Sequence, residues 1–177
     1  MDLLNTNVKK MQHLIEGILK DTIIGRQHAT PLPVDLNLLI PDIIRMLAPP
    51  AHIKIVVHPA LPIVYGQEAG FRHIFQNLLS NAIKFMDKPI GIIKITAKAT
   101  GNSWQFTVAD NGPGIDPAHH GPIFQPFKTL QETGPHLENT GLGLPLVRKI
   151  VTQYGGIIGV DAALGKGSTF WFTIPKN

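Results

Sequence analysis

An aspartate followed by closely spaced glycines is the first group of residues in this sequence with chemical potential. Asp110 closes the stretch QFTVAD, which reads as a strand, and Gly112 and Gly114 follow it in DNGPG. A carboxylate there can accept a hydrogen bond from an exocyclic amine such as N6 of adenine. Glycines would let a flat base lie close to the backbone. The alternative is a plain turn, because Asn-Gly is the strongest short hairpin signal.

A second glycine pair lies before a helical pattern. Gly141 and Gly143 occur in NTGLGLPLV, and Pro145 stands where a first helical turn tolerates proline. Backbone N–H groups at a helix N-terminus bind phosphates well. The sequence contains no P-loop motif, and the third glycine of a dinucleotide-binding fingerprint is missing. A glycine-rich helix start without a ligand is the alternative.

Two amides and one ammonium group share an edge of the helical stretch FQNLLSNAIKF. At about 100° per residue, Asn77, Asn81 and Lys84 fall within about 60° of one another, away from the apolar side. An amide oxygen suits Mg²⁺, and a lysine can meet phosphate oxygens as a point charge. This edge therefore favours a metal–triphosphate site, with an ordinary solvated helix face as the alternative.

The segment between the glycine loops has two parts. IFQPF predicts an apolar plug around Phe124 and Phe127, and the polar KTLQETGPHLEN that follows predicts a lid that closes on a bound nucleotide. Later in the chain, GKGSTF places Thr169 at the start of a strand, where its hydroxyl is expected to face the pocket. The alternative for GKGSTF is a simple hairpin turn.

Length and composition restrict the function classes. The chain has 177 residues, 44% of them apolar, with a formal net charge of +4 and no cysteine. Disulfides and thiolate metal sites are therefore excluded. The basic residues are scattered rather than clustered with aromatics, so we expect no nucleic-acid binding. The sequence shows no secretory signal and no apolar run of about 20 residues, so we expect a cytoplasmic protein without direct membrane contact, or the cytosolic end of a larger sensor.

The N-terminal residues 3–24 predict one helix with a heptad seam. We interpret it as a dimerisation helix, with an ordinary surface helix as the alternative, because a proline-bearing polar segment, GRQHATPLPVD, follows at once. The seam consists of Leu4, Val8, Met11, Ile15 and Ile18.

Helices then interleave with a strand-rich second half, a pattern typical of helices layered on one mixed sheet. Asp35 is a plausible N-cap, and PALP predicts a tight connection between two strands. The predicted helices cover residues 36–47, 68–85 and 142–154, and the predicted strands cover residues 53–58, 62–66, 91–99, 103–110, 157–162 and 168–175.

Five of these motifs occur in an order that is highly specific. NLLSNAIKF, DNGPGI, IFQPF, NTGLGLPLV and GKGSTF resemble the N, G1, F, G2 and G3 boxes of the GHKL ATPase superfamily. Within it, the chain resembles the catalytic and ATP-binding domain of sensor histidine kinases, and its motif sequences are most similar to those of the bacteriophytochrome-like kinases. The resemblance implies an α/β sandwich, the Bergerat fold. In that fold a mixed sheet of about five strands is covered on one face by three helices, preceded here by an N-terminal helix.

The resemblance also implies domains, ligands and residue roles. Residues 1–28 would be part of the second dimerisation helix and a linker, and residues 29–177 would be the catalytic domain binding ATP and Mg²⁺. Asn81 would ligate Mg²⁺, Asn77 and Lys84 would act in catalysis near the phosphates, and Asp110 would read adenine. The other expected ATP-binding residues are Gly112, Gly114, Ile115, Thr140, Gly141, Leu142, Gly143, Leu144 and Thr169.

The implied partners are those of a two-component system. They are the phosphoacceptor helix of the same kinase, a response regulator that receives the phosphoryl group on an aspartate, and a second copy in a homodimer. None of the eight histidines lies in the H-E-x-x-x-P type of motif that carries the acceptor in relatives. We therefore expect a kinase fragment without its acceptor, or, as the alternative, a degenerate nucleotide-binding regulatory module.

Overall fold

The computed structural model describes residues 31–58, 60–128 and 141–176. The expected N-terminal helix, the boundary near residue 28, Thr140 and nearly all of the predicted lid lie outside this part of the chain. All the described residues except Pro31 belong to the compact unit that begins at Leu32.

A five-stranded mixed sheet forms the centre of this unit. Its strands are β2 (Ile53–Val57), β4 (Gly91–Thr100), β5 (Ser103–Asp110), β6 (Ile158–Ala162) and β7 (Ser168–Pro175). Their order across the sheet is β2-β4-β5-β7-β6, in which β2 and β4 run parallel and the other neighbours run antiparallel. The parallel step requires a crossover, which the chain makes between β2 and β4.

Three α-helices cover one face of the sheet, as the sequence predicted. They are α1 (Leu36–Leu47), α2 (Glu68–Lys84) and α3 (Gly143–Gln153). The second lies between the other two and packs on β5, whereas the third packs on β6 and β7. Two 3-10 turns, Pro117–His119 and Pro122–Phe124, lie between β5 and α3. None of the helices in the described ranges is long and apolar enough to cross a membrane.

Aromatic rings fill the space between α2 and the sheet. Phe75 meets Phe106 edge-on at 5.9 Å between ring centroids, and it meets Phe172 at 5.5 Å. Phe106 and Phe172 stack across neighbouring strands at 5.0 Å. All three side chains are fully buried. Such pairs contribute about 0.5–1.5 kcal/mol each beyond their area burial, so this cluster holds α2 firmly on the sheet.

A second, two-stranded sheet corrects the sequence interpretation. Residues expected to belong to a linker form β1 (Leu32–Asp35), which pairs antiparallel with β3 (Ile63–Gly66). The strands on either side of PALP were correctly located, but they join different sheets. Val34 and Val64 face inward and are buried, whereas Ile63 and Tyr65 are exposed. The strand β1 escaped notice because its proline-containing sequence LPVD does not resemble a central strand.

Asn37 ties α1 to the connection that precedes β3. Asp35 caps the helix as expected, with its carboxylate accepting the Asn37 N–H at 2.9 Å. The Asn37 side chain then accepts the Leu61 N–H at 3.0 Å and donates to the Leu61 carbonyl at 2.7 Å. One amide thereby satisfies both backbone groups of a buried residue.

Replacing Asn37 with alanine should lower the free energy of unfolding by about 2 kcal/mol, because the two backbone groups of Leu61 lose their partners. Urea unfolding followed by circular dichroism measures this change. Asp42→Ala is the matched control: it removes an exposed ion pair to Arg45 on the same helix, which is worth about 0–1 kcal/mol. Equal effects of the two substitutions would contradict the role of Asn37.

Candidate functional site

Asp110 is the last residue of β5, and one of its two carboxylate oxygens accepts hydrogen bonds from the backbone. Its Oδ1 accepts the Gly112 N–H at 2.8 Å and the Ser168 N–H at 3.3 Å. Its Oδ2 makes no hydrogen bond to any other described residue. The protein therefore fixes the orientation of the carboxylate and leaves one oxygen as an acceptor for something else.

The environment of Asp110 disfavours its charge. Burial raises the pKa of the Asp110 carboxyl above its ordinary value of 3.8. The hydrogen bonds from Gly112 and Ser168 act in the opposite direction, and the negative charge of Asp87 adds a smaller upward contribution. A partly desolvated carboxylate gains more than an exposed one from a hydrogen-bond donor supplied by a ligand.

The loop after β5 interlocks with the turn between β6 and β7. The Gly165 N–H donates to the Pro113 carbonyl at 2.6 Å. A side chain on Gly114, which has φ +74°, would strike the Ala163 carbonyl oxygen. One on Gly167, with φ +82°, would strike the Asp110 carbonyl oxygen. The first glycine loop and GKGSTF thus form one rigid unit around Asp110.

This packing gives Gly114 a structural reason that the sequence interpretation did not include. The sequence interpretation assigned Gly112 and Gly114 to the close approach of a base. In the structure a Cβ on Gly112 would lie 2.9 Å from Asp110 Oδ1, and the space beside Gly114 is taken by the chain itself. Gly114 is therefore required by the fold of the loop, whereas a side chain on Gly112 would meet only the Asp110 carboxylate. Ile115 follows them and is buried.

The polar edge of α2 connects the two glycine loops. A Cβ on Gly143 would lie 2.6 Å from Asn77 Oδ1, so the start of α3 is set against that amide. At the other end, Gly112 lies beside the Phe85 carbonyl oxygen, to which a Cβ would be 3.6 Å distant. The helix rises about 12 Å between Asn77 and Phe85, at 1.5 Å per residue.

Asn81 and Lys84 occupy the edge between these two contacts. Both residues are half-buried on α2, as is Asn77, whose Nδ2 donates to the His73 carbonyl at 2.8 Å. The Lys84 ammonium lies 6.0 Å from the centroid of the Phe85 ring. The structure thus places the three polar residues of α2 along one line between Gly143 and Gly112, as their spacing predicted.

The N-terminus of α3 presents uncapped donors. Leu142 occupies the N-cap position, and no side chain of a described residue caps the helix there. The first intrahelical bond runs from the Leu146 N–H to the Leu142 carbonyl at 3.1 Å. Pro145 has no N–H, so Gly143 and Leu144 are left as the donors without an intrahelical acceptor.

The apolar plug is only partly as expected. Phe124 is buried and meets Phe170 edge-on at 6.4 Å, but Phe127 is exposed and adopts a left-handed backbone with φ +62°. The Phe127 N–H donates to the Gly141 carbonyl at 3.0 Å. A Cβ on Gly141 would lie 2.7 Å from the Phe127 Cα. Phe127 therefore contacts Gly141, just before α3, through its backbone, and its side chain does not fill the core.

The structure places Ser168 beside Asp110, where the sequence interpretation had placed Thr169. Side chains alternate between the two faces of a strand, and Phe170 and Phe172 of β7 point into the core. Ser168 shares their face, is buried and pairs directly with Asp110. Thr169 pairs with Ala109 and points to the opposite face of the sheet. Counting back in twos from Phe170 would have selected Ser168.

Asn111 is a second residue that sequence reasoning missed. Its Oδ1 accepts the Ile92 N–H at 2.7 Å, and its Nδ2 donates to the Ile90 carbonyl at 3.0 Å. The side chain thereby extends the pairing of β4 and β5 and holds Asp110 at the end of its strand. The asparagine of DNGPG has a structural role that the turn signal alone did not reveal.

Comparison with known proteins places this arrangement in a family. A family model described as "Histidine kinase-, DNA gyrase B-, and HSP90-like ATPase" matches residues 66–177. The chain belongs to this ATPase family. Its relatives are sensor histidine kinases, and the described fold is that of their catalytic domains.

The curated relatives include phytochromes, in line with the expected subgroup. The chain is 34% identical over 174 residues to cyanobacterial phytochrome B of Nostoc sp., covering 94% of this chain and 23% of that protein. It is 32% identical over 173 residues to the sensor histidine kinase ZraS of Escherichia coli, covering 95% and 36%. The chain thus spans well under half the length of either relative.

Solved structures give the same result. The mycobacterial sensor histidine kinase MprB superposes with a TM-score of 0.71 at 26% identity, covering 82% of this chain and 97% of that one. Full-length ShkA, in complex with AMPPNP, superposes with a TM-score of 0.69 at 35% identity, covering 82% and 31%. The histidine kinase ATPase fold therefore accounts for the described unit.

The raised pKa of Asp110 predicts that Asp110→Asn is more stable than the native domain at pH 7. Because the pKa of Asp110 is raised in the folded state, its carboxyl stabilises the fold below the pKa of the unfolded state. This stabilisation is lost as the pH rises through the pKa of the folded state. Asparagine keeps an acceptor for Gly112 and Ser168 without the charge. Urea unfolding from pH 7 down to pH 4 should show the advantage of the variant shrinking.

Asp161→Asn, at an exposed position of β6, controls for the loss of one negative charge. An advantage of Asp110→Asn that stays constant or grows as the pH falls would contradict the assignment of a buried, charge-disfavouring site.

Proposed function

We propose that this histidine kinase domain binds Mg²⁺-ATP and transfers the γ-phosphoryl group to a histidine on a dimerisation helix, for relay to an aspartate of a response regulator. The observation that carries the proposal is the polar edge of α2. It runs from the start of α3 at Gly143, which no described side chain caps, to the loop that holds Asp110. One end offers an acceptor for a base, and the other offers donors for phosphates.

The base end selects adenine. Asp110 Oδ2 is an acceptor held in a fixed direction, because Oδ1 is tied to the backbone at Gly112 and Ser168. Adenine presents an amine at its six position and donates to this oxygen. Guanine presents a carbonyl there and would oppose the carboxylate. The Ser168 hydroxyl lies on the same face and supplies a second polar group, directly or through water.

The phosphate end is built from neutral and positive groups. The N–H groups of Gly143 and Leu144 point outward from the start of α3 and suit phosphate oxygens. Gly141 and Leu142 lead the backbone to the same place, and Lys84 adds a positive charge. Asn81 fits Mg²⁺ as an oxygen ligand. When bound, the ion offsets the charge on the transferred phosphoryl group.

The residues of this edge suit transfer to an imidazole. A neutral imidazole nitrogen attacks the γ-phosphorus with its own lone pair while the bond to the bridging oxygen breaks and ADP leaves, whereas water needs a base to remove a proton. Asn77 cannot accept a proton through its amide, and its Nδ2 already donates to the His73 carbonyl. The role of α2 is therefore to position ATP and stabilise its charge while a separate helix brings the nucleophile.

The comparisons support this proposal. ShkA, at 35% identity, is described in complex with the ATP analogue AMPPNP. ZraS is a sensor histidine kinase, and its similarity extends over nearly the whole of this chain. A homodimer in the complete protein and a cytoplasmic location follow from the same proposal. The competing function is a regulatory module that binds nucleotide without phosphoryl transfer.

Isothermal calorimetry should show that the native domain binds ATP more tightly than GTP. Asp110→Asn should lose roughly 1.5–3 kcal/mol of ATP binding, on the order of ten- to a hundredfold in affinity, since a charged hydrogen bond is removed. Asp161→Asn is the matched control and should bind as the native domain does. Equal affinity for ATP and GTP would reject the role of Asp110 in reading the base.

Transfer is tested with radiolabelled ATP and a separately supplied dimerisation domain that bears the acceptor histidine. We expect an acid-labile, alkali-stable label on the supplied domain. ATP binding without any transfer would favour the regulatory module.

Asn81→Ala should weaken ATP binding more in Mg²⁺ than in EDTA, because the lost group is a metal ligand. Equal losses in both conditions would show that Asn81 only shapes the site.

A further inference from the structure

Tyr154 joins the end of α3 to the start of α2. It occupies the C-cap position of α3, and its Oη donates to the Gln67 carbonyl at 3.1 Å. The same oxygen accepts the Gln67 N–H at 3.3 Å. Gln67 is the N-cap of α2, and its side chain makes no capping hydrogen bond. The tyrosine hydroxyl therefore holds the backbone of the neighbouring helix at the residue where that helix begins.

Two glycines make room for this contact. A Cβ on Gly70 would strike the Tyr154 hydroxyl, and a Cβ on Gly66 would lie 3.1 Å from the edge of its ring. The ring itself stacks on Phe71, with centroids 4.8 Å apart and planes inclined by 12°. Glycine inside a helix costs about 1 kcal/mol relative to alanine. At Gly70 that cost is offset by the hydrogen bonds of the Tyr154 hydroxyl, which occupies the space that a side chain would fill.

Another contact between these helices joins the start of α3 to the middle of α2. Gly143 begins α3 against Asn77, and Tyr154 ends it against Gln67, so the two helices run antiparallel. At 1.5 Å per residue, Gln67 and Asn77 are about 15 Å apart along α2, and Gly143 and Tyr154 are about 16.5 Å apart along α3. A shift of α3 along its axis at one contact therefore appears at the other.

We propose that Tyr154 is a positioning residue that sets the depth of the α3 N-terminus against the polar edge of α2. This proposal deepens the proposed function and rests on it, because the groups that Tyr154 positions are the phosphate-binding N–H donors of Gly143 and Leu144. Ring stacking on Phe71 tolerates sliding. The two hydrogen bonds between the Tyr154 hydroxyl and the Gln67 backbone do not tolerate sliding. The hydroxyl rather than the ring therefore fixes the position of Tyr154 against Gln67.

The test is Tyr154→Phe, which keeps the ring and removes the hydroxyl. Calorimetry with Mg²⁺-ATP and with adenosine separates the two ends of the site. We expect ATP affinity to fall about three- to tenfold, on the scale of a lost hydrogen bond, while adenosine affinity stays within about twofold. Tyr65→Phe is the matched control, because Tyr65 is exposed on β3 and is the other tyrosine of the chain.

Unchanged ATP affinity, or equal loss for ATP and adenosine, would overturn the positioning role. Failure of the native domain to bind either ligand would instead reject the proposed function. In that case the ligand-free readout still decides the positioning role: the side-chain amide resonances of Asn77 should move in Tyr154→Phe and stay in place in Tyr65→Phe. If Asn77 does not respond, Tyr154 does not act at the far end of α3.

Gly70→Ala provides a second variant that keeps Tyr154 but displaces its hydroxyl. Alanine favours the helix, so a fold defect is not the expected outcome. We expect the same split between ATP and adenosine as in Tyr154→Phe. The double variant should lose little more than either single one, because both changes break the same contact. Additive losses would show that Gly70 and Tyr154 act independently.

Discussion

The burial of one side of α2 is the constraint on which the rest of the domain depends. Phe71, Phe75 and Leu78 are fully buried against the sheet and the neighbouring helices. Once that side is fixed, the 3.6-residue period leaves no choice about where Asn77, Asn81 and Lys84 lie. The loops that contribute Asp110 and Gly143 then only have to reach the two ends of this polar edge. Packing energy thus orients groups that do not themselves contribute to the core.

The elements with strong periodicity were the ones that the sequence predicted best. The apolar residues of α2 repeat at helical spacing over its whole length, and β7 alternates strictly between buried and half-buried positions. Asp35 was a sound N-cap prediction because capping depends on local geometry alone. The three polar residues of α2 followed from the same period, since one helix places all of them.

The parts that escaped prediction depend on contacts between distant segments. Nothing near Gly114 in the sequence indicates that Ala163 lies across its α-carbon, so the glycine was assigned to an absent ligand. Ser168 and Thr169 are equally plausible hydroxyls until the register of β5 and β7 is known. The pairing of Leu32 with Gly66 likewise requires tertiary information. Local patterns carry no information about which segments meet.

The hydrogen bond between Phe127 and Gly141 has a consequence for how chains of this kind vary in length. It holds Phe127 and Gly141, which flank the intervening sequence, at one point. For a flexible insertion between fixed ends, each doubling of length costs only about 0.6 kcal/mol of closure entropy. Insertions or exchanged sequences at this point should therefore be tolerated by the fold. The stretch between Phe127 and Gly141 is a natural place for diversification and for engineered reporters.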